Sequence, residues 1–184
     1  MLAVTKKYTT GAPGFVETGH LQPAPLEAGI VARIRETVFH ALTSLKIRNG
    51  ASHSELKVDG EGTIRLIEIG GRMGGDMIGS DLVRLSTGID YTEAVIRTAL
   101  GQRPDLRPAS APAGAAGIRF ILGREDLDAL ERLRKEHPAR LVRAEVRQPD
   151  GTPVTDSGSR FGYFLMAAPD AEALRPYLPR EEES

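Results

Sequence analysis

The stretch His53-Ser54-Glu55-Leu56-Lys57-Val58-Asp59-Gly60-Glu61-Gly62-Thr63-Ile64-Arg65-Leu66-Ile67-Glu68-Ile69-Gly70-Gly71-Arg72-Met73-Gly74-Gly75-Asp76 decides how the chain is read. Two short apolar runs flank Asp59-Gly60-Glu61-Gly62, a glycine-containing connection that suits a β-hairpin. Pairing Val58 with Thr63 across the turn sets Lys57 against Ile64, Glu55 against Leu66 and His53 against Glu68. Strand alternation then gathers residues 53, 55, 57, 64, 66 and 68 on one face. Glu68 shares that face with Ile64 and Leu66, where a carboxylate needs a partner. Glu55 lies diagonal to it, about 7–8 Å away at Cα. Two carboxylates so placed can share a hard cation through oxygen ligands at about 2.0–2.6 Å. A one-residue slip would carry both acids to the other face together, so their co-facing survives a modest register error. The plainer alternative is that each acid is solvated or paired with a neighbouring Lys or Arg.

The residues that follow favour the cation. Gly70, Gly71, Gly74 and Gly75 let backbone N–H groups approach an anion closely, and Arg72 can clamp a phosphate or carboxylate through two nitrogens. An acid pair, an arginine and a glycine-rich loop are suited to Mg-nucleotide chemistry.

His-x-Glu, a hairpin, then Glu-Ile-Gly-Gly-Arg-x-Gly-Gly resembles the metal-binding end of ATP-grasp ligases. In that family two acids about a dozen positions apart hold Mg·ATP, the second opening a Glu-x-Asn-x-Arg motif. Glu55 and Glu68 match the acids and Arg72 the arginine, while Gly70 stands where the asparagine usually is. Val-Thr-Lys near the start, and Glu-x-Gly-His-x-x-Pro-Ala before a long helix, are most similar to the L-amino-acid and carboxylate–amine ligase branch. The likeness covers residues 1–101 well and the remainder loosely.

The resemblance implies an α+β fold: an ATP-grasp C-terminal subdomain of antiparallel sheet and packed helices over residues 1–101, then a linker over 102–116. A small appended α+β unit over 117–178 and a disordered tail over 179–184 complete the expectation. It implies an ATP-dependent carboxylate–amine ligase working through an acyl-phosphate, with ATP and Mg2+ or Mn2+ as cofactors and a small carboxylate or amino acid as substrate. Glu55 and Glu68 would hold the metal. Arg72 would act in catalysis, as would His20, which such ligases place near the substrate carboxylate or acyl-phosphate. Gly74 and Gly75 would offer N–H groups to ATP, and Leu66 and Ile67 would wall the adenine pocket. The family's N-terminal domain and lysine-bearing subdomain have no counterpart in this sequence. The chain is therefore expected to be the C-terminal half of a ligase, inactive in isolation without the N-terminal half. The alternative is a non-catalytic remnant acting as a binding or assembly module, through self-association, or one subunit of a split ligase.

Composition narrows the partners. A formal net charge of −1 over 184 residues gives no attraction for nucleic acid or anionic membrane. The absence of cysteine excludes disulfides and thiolate metal sites and fits a cytoplasmic protein. No apolar run approaches a membrane span, and the lack of Trp argues against base-stacking surfaces.

Outward from the central stretch, 2–9 reads as a strand ending in Lys6 and Lys7, where a lysine near phosphate competes with a solvated strand end. Residues 15–19 suit a short strand, and 19–25 an irregular segment carrying His20. Residues 25–45 read as a helix with Leu26, Ile30, Ile34, Val38, Leu42 and Leu45 on one stripe. Residues 78–85 suit a short helix. Asp90 caps another over 91–100, with Glu93 at its third position. The last part reads strand (117–122), helix (125–136), strand (141–148), strand (161–168) and helix (170–178). Residues 158–162 suit a mobile loop.

Overall fold

In chain order the described residues, 1–180 of a computed structural model, form β1 (Lys6–Thr9), β2 (Glu17–Gln22), α1 (Ala28–Ser44), β3 (His53–Val58) and β4 (Ile64–Gly70). A π-helical turn (Ile78–Leu82), α2 (Val83–Thr87), α3 (Tyr91–Ala99), β5 (Ala115–Phe120) and α4 (Arg124–Glu136) follow, then β6 (Leu141–Val146), β7 (Gly162–Ala168) and a short 3-10 turn (Arg175–Tyr177). The fold is α+β and antiparallel throughout its sheets, as expected.

Five strands make one sheet in the order β1-β2-β5-β7-β6. β5, Ala-Ala-Gly-Ile-Arg-Phe, is buried at every position, because small and apolar side chains let both faces be covered. One face packs on α4 and the C-terminal turns, with Leu21, Phe164 and Met166 against Leu130, Leu133, Leu174 and Tyr177. The other carries Ile118, Phe120, Tyr163 and Leu165 under Leu82, with Met77, Ile78 and Leu85 beside it. Arg119 is buried within β5, and its Nε donates to Asp126 Oδ1 at 2.8 Å while another guanidinium nitrogen donates to the Leu178 carbonyl at 3.0 Å. Asp126 also accepts from the backbone of Leu122 and Gly123, which fixes the start of α4. Gly19 is required where β2 meets β5, since a Cβ there would lie 2.6 Å from the Ile118 carbonyl oxygen.

β1 and β2, from before the expected 102–116 linker, share this sheet with β5, which takes in its last two residues: β2 pairs with β5 through His20↔Ile118 and Gln22↔Ala116. The unit read over 117–178 thus shares its sheet with the first 22 residues.

β3 and β4 form a separate two-stranded ribbon. Its register differs from the expected one. Val58 pairs with Ile64, Lys57 with Arg65 and Leu56 with Leu66, then a bulge at Ile67 sets Glu55 opposite Glu68 and His53 opposite Gly70. The turn residues explain the first shift: Asp59 Oδ1 accepts from the backbone of Glu61 and Thr63, so Thr63 joins the turn instead of pairing with Val58.

Other expectations are corrected. The strand through His20 does not stop at Gly19 but continues to Gln22, because both its edges find partners. β1 begins only at Lys6, and α1 at Ala28. Of the α1 stripe only Ile34 is fully buried, while Leu45 is exposed. A two-stranded ribbon, with strands about 4.8 Å apart, is too narrow to cover it. No regular helix forms over 170–178, because Pro176 has no N–H to donate there. Asp90 does cap α3, accepting from Glu93 N at 2.9 Å. Residues 181–184 of the expected tail lie outside the described residues.

Candidate functional site

The bulge at Ile67 determines which face Glu68 takes. Continued regularly from Leu56↔Leu66, the ladder would have put Ile67 opposite Glu55 and turned Glu68 to the other side. The extra residue restores Glu68 to the face of Glu55. Glu68 is therefore not on the face of Ile64 and Leu66, as first expected, but directly across from Glu55. At such a site Cβ atoms lie about 4.5–5.5 Å apart.

Each acid has a different neighbourhood. Glu55 Oε2 accepts from Lys7 Nζ at 2.8 Å, and His53 Nε2 stands 3.9 Å from Glu55 Oε1. Lys7 also lies 3.9 Å from Glu17 Oε1. The plainer reading, acid paired with lysine, thus describes Glu55. Glu68 is exposed and takes no ion pair or side-chain hydrogen bond among the described residues. Burial, with the charges of Arg72 and Lys7, holds the His53 imidazole below its ordinary pKa against the opposing pull of Glu55.

Past β4 the chain turns through Gly70–Gly75. Arg72 is exposed and one of its terminal nitrogens donates to the Met73 carbonyl at 2.9 Å. Gly74 packs against the ribbon so closely that a Cβ would fall 2.8 Å from His53 Nδ1, whereas Gly71 and Gly75 have open space. Leu66 and Ile67 are exposed on the ribbon. The turn ends in two left-handed residues that are not glycine, Asp76 at φ 49° and Met77 at φ 61°.

Asp76 is the tie to the large sheet. Its Oδ1 accepts from Arg160 at 3.0 Å and its Oδ2 lies 3.4 Å from His20 Nε2. Arg160 also donates to Glu17 Oε2 at 2.8 Å, and its Cζ lies over Phe120, 3.8 Å from the ring centroid. The His20 ring meets Phe120 edge-on and is only 2% exposed. His20 therefore does not stand open in a loop: Nε2 faces Asp76, and Nδ1 is buried with no protein partner. Burial pushes the Asp76 carboxyl upward, but hydrogen bonds from His20 and Arg160 and their charges outweigh it and bring it down to about 2. Glu17 goes the same way: burial raises it, and the Ser157 hydroxyl with the charges of Arg160 and Lys7 overcomes that.

Sequence reading missed Arg160, Glu17 and Ser157. Arg160 meets Asp76 across 84 positions and Glu17 across 143, and nothing local in its Gly-Ser-Arg-Phe-Gly surroundings marks it as buried. The 158–162 segment, expected as a mobile loop, instead presents a side chain that is 6% exposed.

The acid pair suits a particular kind of cation. Among the described residues no group of three or more His, Cys, Asp or Glu is arranged to hold a metal. Two opposed carboxylates are compatible with Mg2+, which keeps several waters and binds one or two protein carboxylates together with substrate phosphates. No helix among the described residues is long and apolar enough to cross a membrane.

Residues 1–81 match the family model described as an ATP-grasp domain. No curated protein matches the chain. Among solved structures, the L-amino acid ligase from Bacillus licheniformis is 26% identical over 96% of this chain and 47% of its own, with a TM-score of 0.76. Phosphoribosylglycinamide synthetase from Anaerococcus prevotii is 14% identical over 94% and 45%, with a TM-score of 0.70. The biotin carboxylase domain of the Hydrogenobacter thermophilus 2-oxoglutarate carboxylase, solved with MgADP and bicarbonate, is 17% identical over 94% and 39%, with a TM-score of 0.60. The chain spans less than half the length of these structures.

Proposed function

We propose that this chain, whose residues 1–81 match the ATP-grasp family model and whose fold is that of ATP-grasp structures, supplies the acid-and-arginine side of an ATP-dependent carboxylate–amine ligase site. The observation that carries the reading is the bulge-set pairing of Glu55 with Glu68, beside the turn that bears Arg72. The reaction is the transfer of the ATP γ-phosphoryl group to a substrate carboxylate, followed by displacement of phosphate by an amine. The substrate class is a small carboxylate such as an amino acid.

Glu55 and Glu68 hold Mg2+, or Mn2+ in its place. When bound, the metal screens the triphosphate charge and orients the transferred group. Arg72, exposed at the head of the glycine turn, swings from the Met73 carbonyl to the phosphoryl oxygens, with N–H groups of Gly74 and Gly75 alongside. Leu66 and Ile67 cover the adenine. His20 acts from behind: buried under Phe120, it reaches a ligand only through Asp76, so its role is to orient that carboxylate. Lys7 keeps the charge of Glu55 balanced.

The test is Mn2+ titration followed by electron paramagnetic resonance, with and without ADP. Wild type should bind, and Glu68→Ala should weaken binding by about tenfold or more, the loss of one of two carboxylate ligands. Equal affinity in the two proteins would remove the cation site and leave only a fold-level likeness.

A second reading is an assembly module without catalysis. It is favoured by the exposed apolar side chains of α1, Phe39 above all at 68% exposure. Sedimentation at rising concentration separates the two, since an assembly module associates with or without Mn2+ and ADP.

A further inference from the structure

The segment between β6 and β7 presents one buried arginine. Arg147 and Phe161 close its base, with the Arg147 N–H donating to the Phe161 carbonyl at 2.7 Å. Its tip is a self-bonded turn in which Asp156 Oδ1 accepts from the backbone of Gly158 and Ser159 at 2.8 and 2.9 Å. Arg160 then turns inward, 6% exposed, over Phe120. One terminal nitrogen donates to Asp76 at 3.0 Å, and the other to Glu17 at 2.8 Å and to Ser157 Oγ at 2.7 Å. A guanidinium spans two carboxylates this way because its donors form a rigid planar fork, which a lysine ammonium lacks. Its Nε is buried without a partner, so the two ends of the fork carry the interaction.

The two carboxylates come from different places. Glu17 opens β2 in the large sheet, and Asp76 ends the glycine-rich turn that leaves the ribbon. Asp76 and the following Met77 are both left-handed, a backbone that bulky residues hold only when the surroundings dictate it. Lys7, paired with Glu55 of the ribbon and 3.9 Å from Glu17, His20, facing Asp76, and Arg147, whose guanidinium donates to the Arg160 carbonyl at 2.9 Å, also stand at this junction.

We propose that Arg160 is a positioning residue: from the loop before β7 it holds the glycine-rich turn, and Arg72 with it, against the large sheet by gripping Asp76 and Glu17 together. That the positioned turn faces a phosphoryl group rests on the ligase reading. The tie itself does not.

Limited trypsin digestion of this chain tests the tie. Cleavage after Arg72, in the turn, is measured against cleavage after Lys46, in the exposed turn that ends α1, for wild type, Arg160→Gln, Arg160→Lys and Asp76→Asn. The Arg72-to-Lys46 ratio should rise roughly fivefold or more in Arg160→Gln and Asp76→Asn, with Lys restoring only part of it. A general loss of stability would raise both cleavages in parallel, and that result, like an unchanged ratio, overturns the proposal. Should Arg160→Gln not fold, Asp76→Asn leaves Arg160 on Phe120 and Glu17 and carries the same test. Mn2+ affinity should stay within about twofold in Arg160→Gln, because Glu55 and Glu68 sit on the ribbon and not on the turn; a larger loss overturns the assignment to the turn. If wild type binds no Mn2+, the ligase reading fails while the cleavage ratio still judges the tie.

Discussion

Asp76 concentrates the costs and gains of this site in one residue. Its left-handed backbone, with that of Met77, costs about 1–3 kcal/mol per residue. The charged hydrogen bond from Arg160 opposes that cost, and Asp is among the residues that tolerate the conformation best. Its carboxyl is held at about 2, below the ordinary 3.8. A depressed carboxyl stabilises the fold fully above pH 4 and loses that contribution as pH falls from about 4 toward 2. Glu17, also depressed, adds to the same acid limb. Asp76→Asn should therefore cost roughly 1–2 kcal/mol at neutral pH, and the gap to wild type should close as pH falls toward 2. Thermal melts at pH 7, 4 and 3 would read this. A gap that stays constant across them would mean that charge at Asp76 contributes nothing.

Within the ribbon, one bulged residue sets which side chains share a face. A two-stranded ladder alternates strictly, so an extra residue at Ile67 shifts everything beyond it by one position relative to Glu55. The turn then folds back on the ribbon at Gly74, where hydrogen is the only side chain with room beside His53. Gly74→Ala should force the imidazole or the turn aside and destabilise by about 1–3 kcal/mol, the usual cost of overpacking. Gly75→Ala, with open space at its Cβ position, is the control and should stay within about 0.5 kcal/mol. Chemical denaturation of the two variants would decide, and equal midpoints would show that the Gly74–His53 contact is slack.

Over the whole molecule, burial is divided unequally. Both apolar clusters of fully buried residues lie on the five-stranded sheet, sandwiched by α4 on one side and the 78–87 segment on the other. No residue of the ribbon is fully buried, and α1 buries only Ile34. Elements with few buried contacts open at lower free energy. Amide exchange should therefore be slowest in β5 and β7 and faster by orders of magnitude in β3, β4 and α1. Leu130→Ala, within the larger cluster, should cost about 2–5 kcal/mol, against about 0.5 kcal/mol or less for Phe39→Ser on the outer face of α1. Uniform exchange protection across both sheets would contradict this division.

Local signals were enough for much of the chain. Asp59 with its glycines marked the hairpin, Asp90 with Glu93 marked the start of α3, and the apolar edge of 125–136 marked α4, because turn chemistry, capping and helical period act over a few residues. The two acids, thirteen positions apart, and Arg72 were legible for the same reason. Tertiary structure alone decided that β2 and β5 lie side by side across nearly a hundred residues, that the ladder bulges at Ile67, and that Arg160 reaches Asp76 and Glu17 under cover of Phe120. These are long-range pairings. Each is fixed by what packs against a segment, and a segment's own sequence does not carry that information.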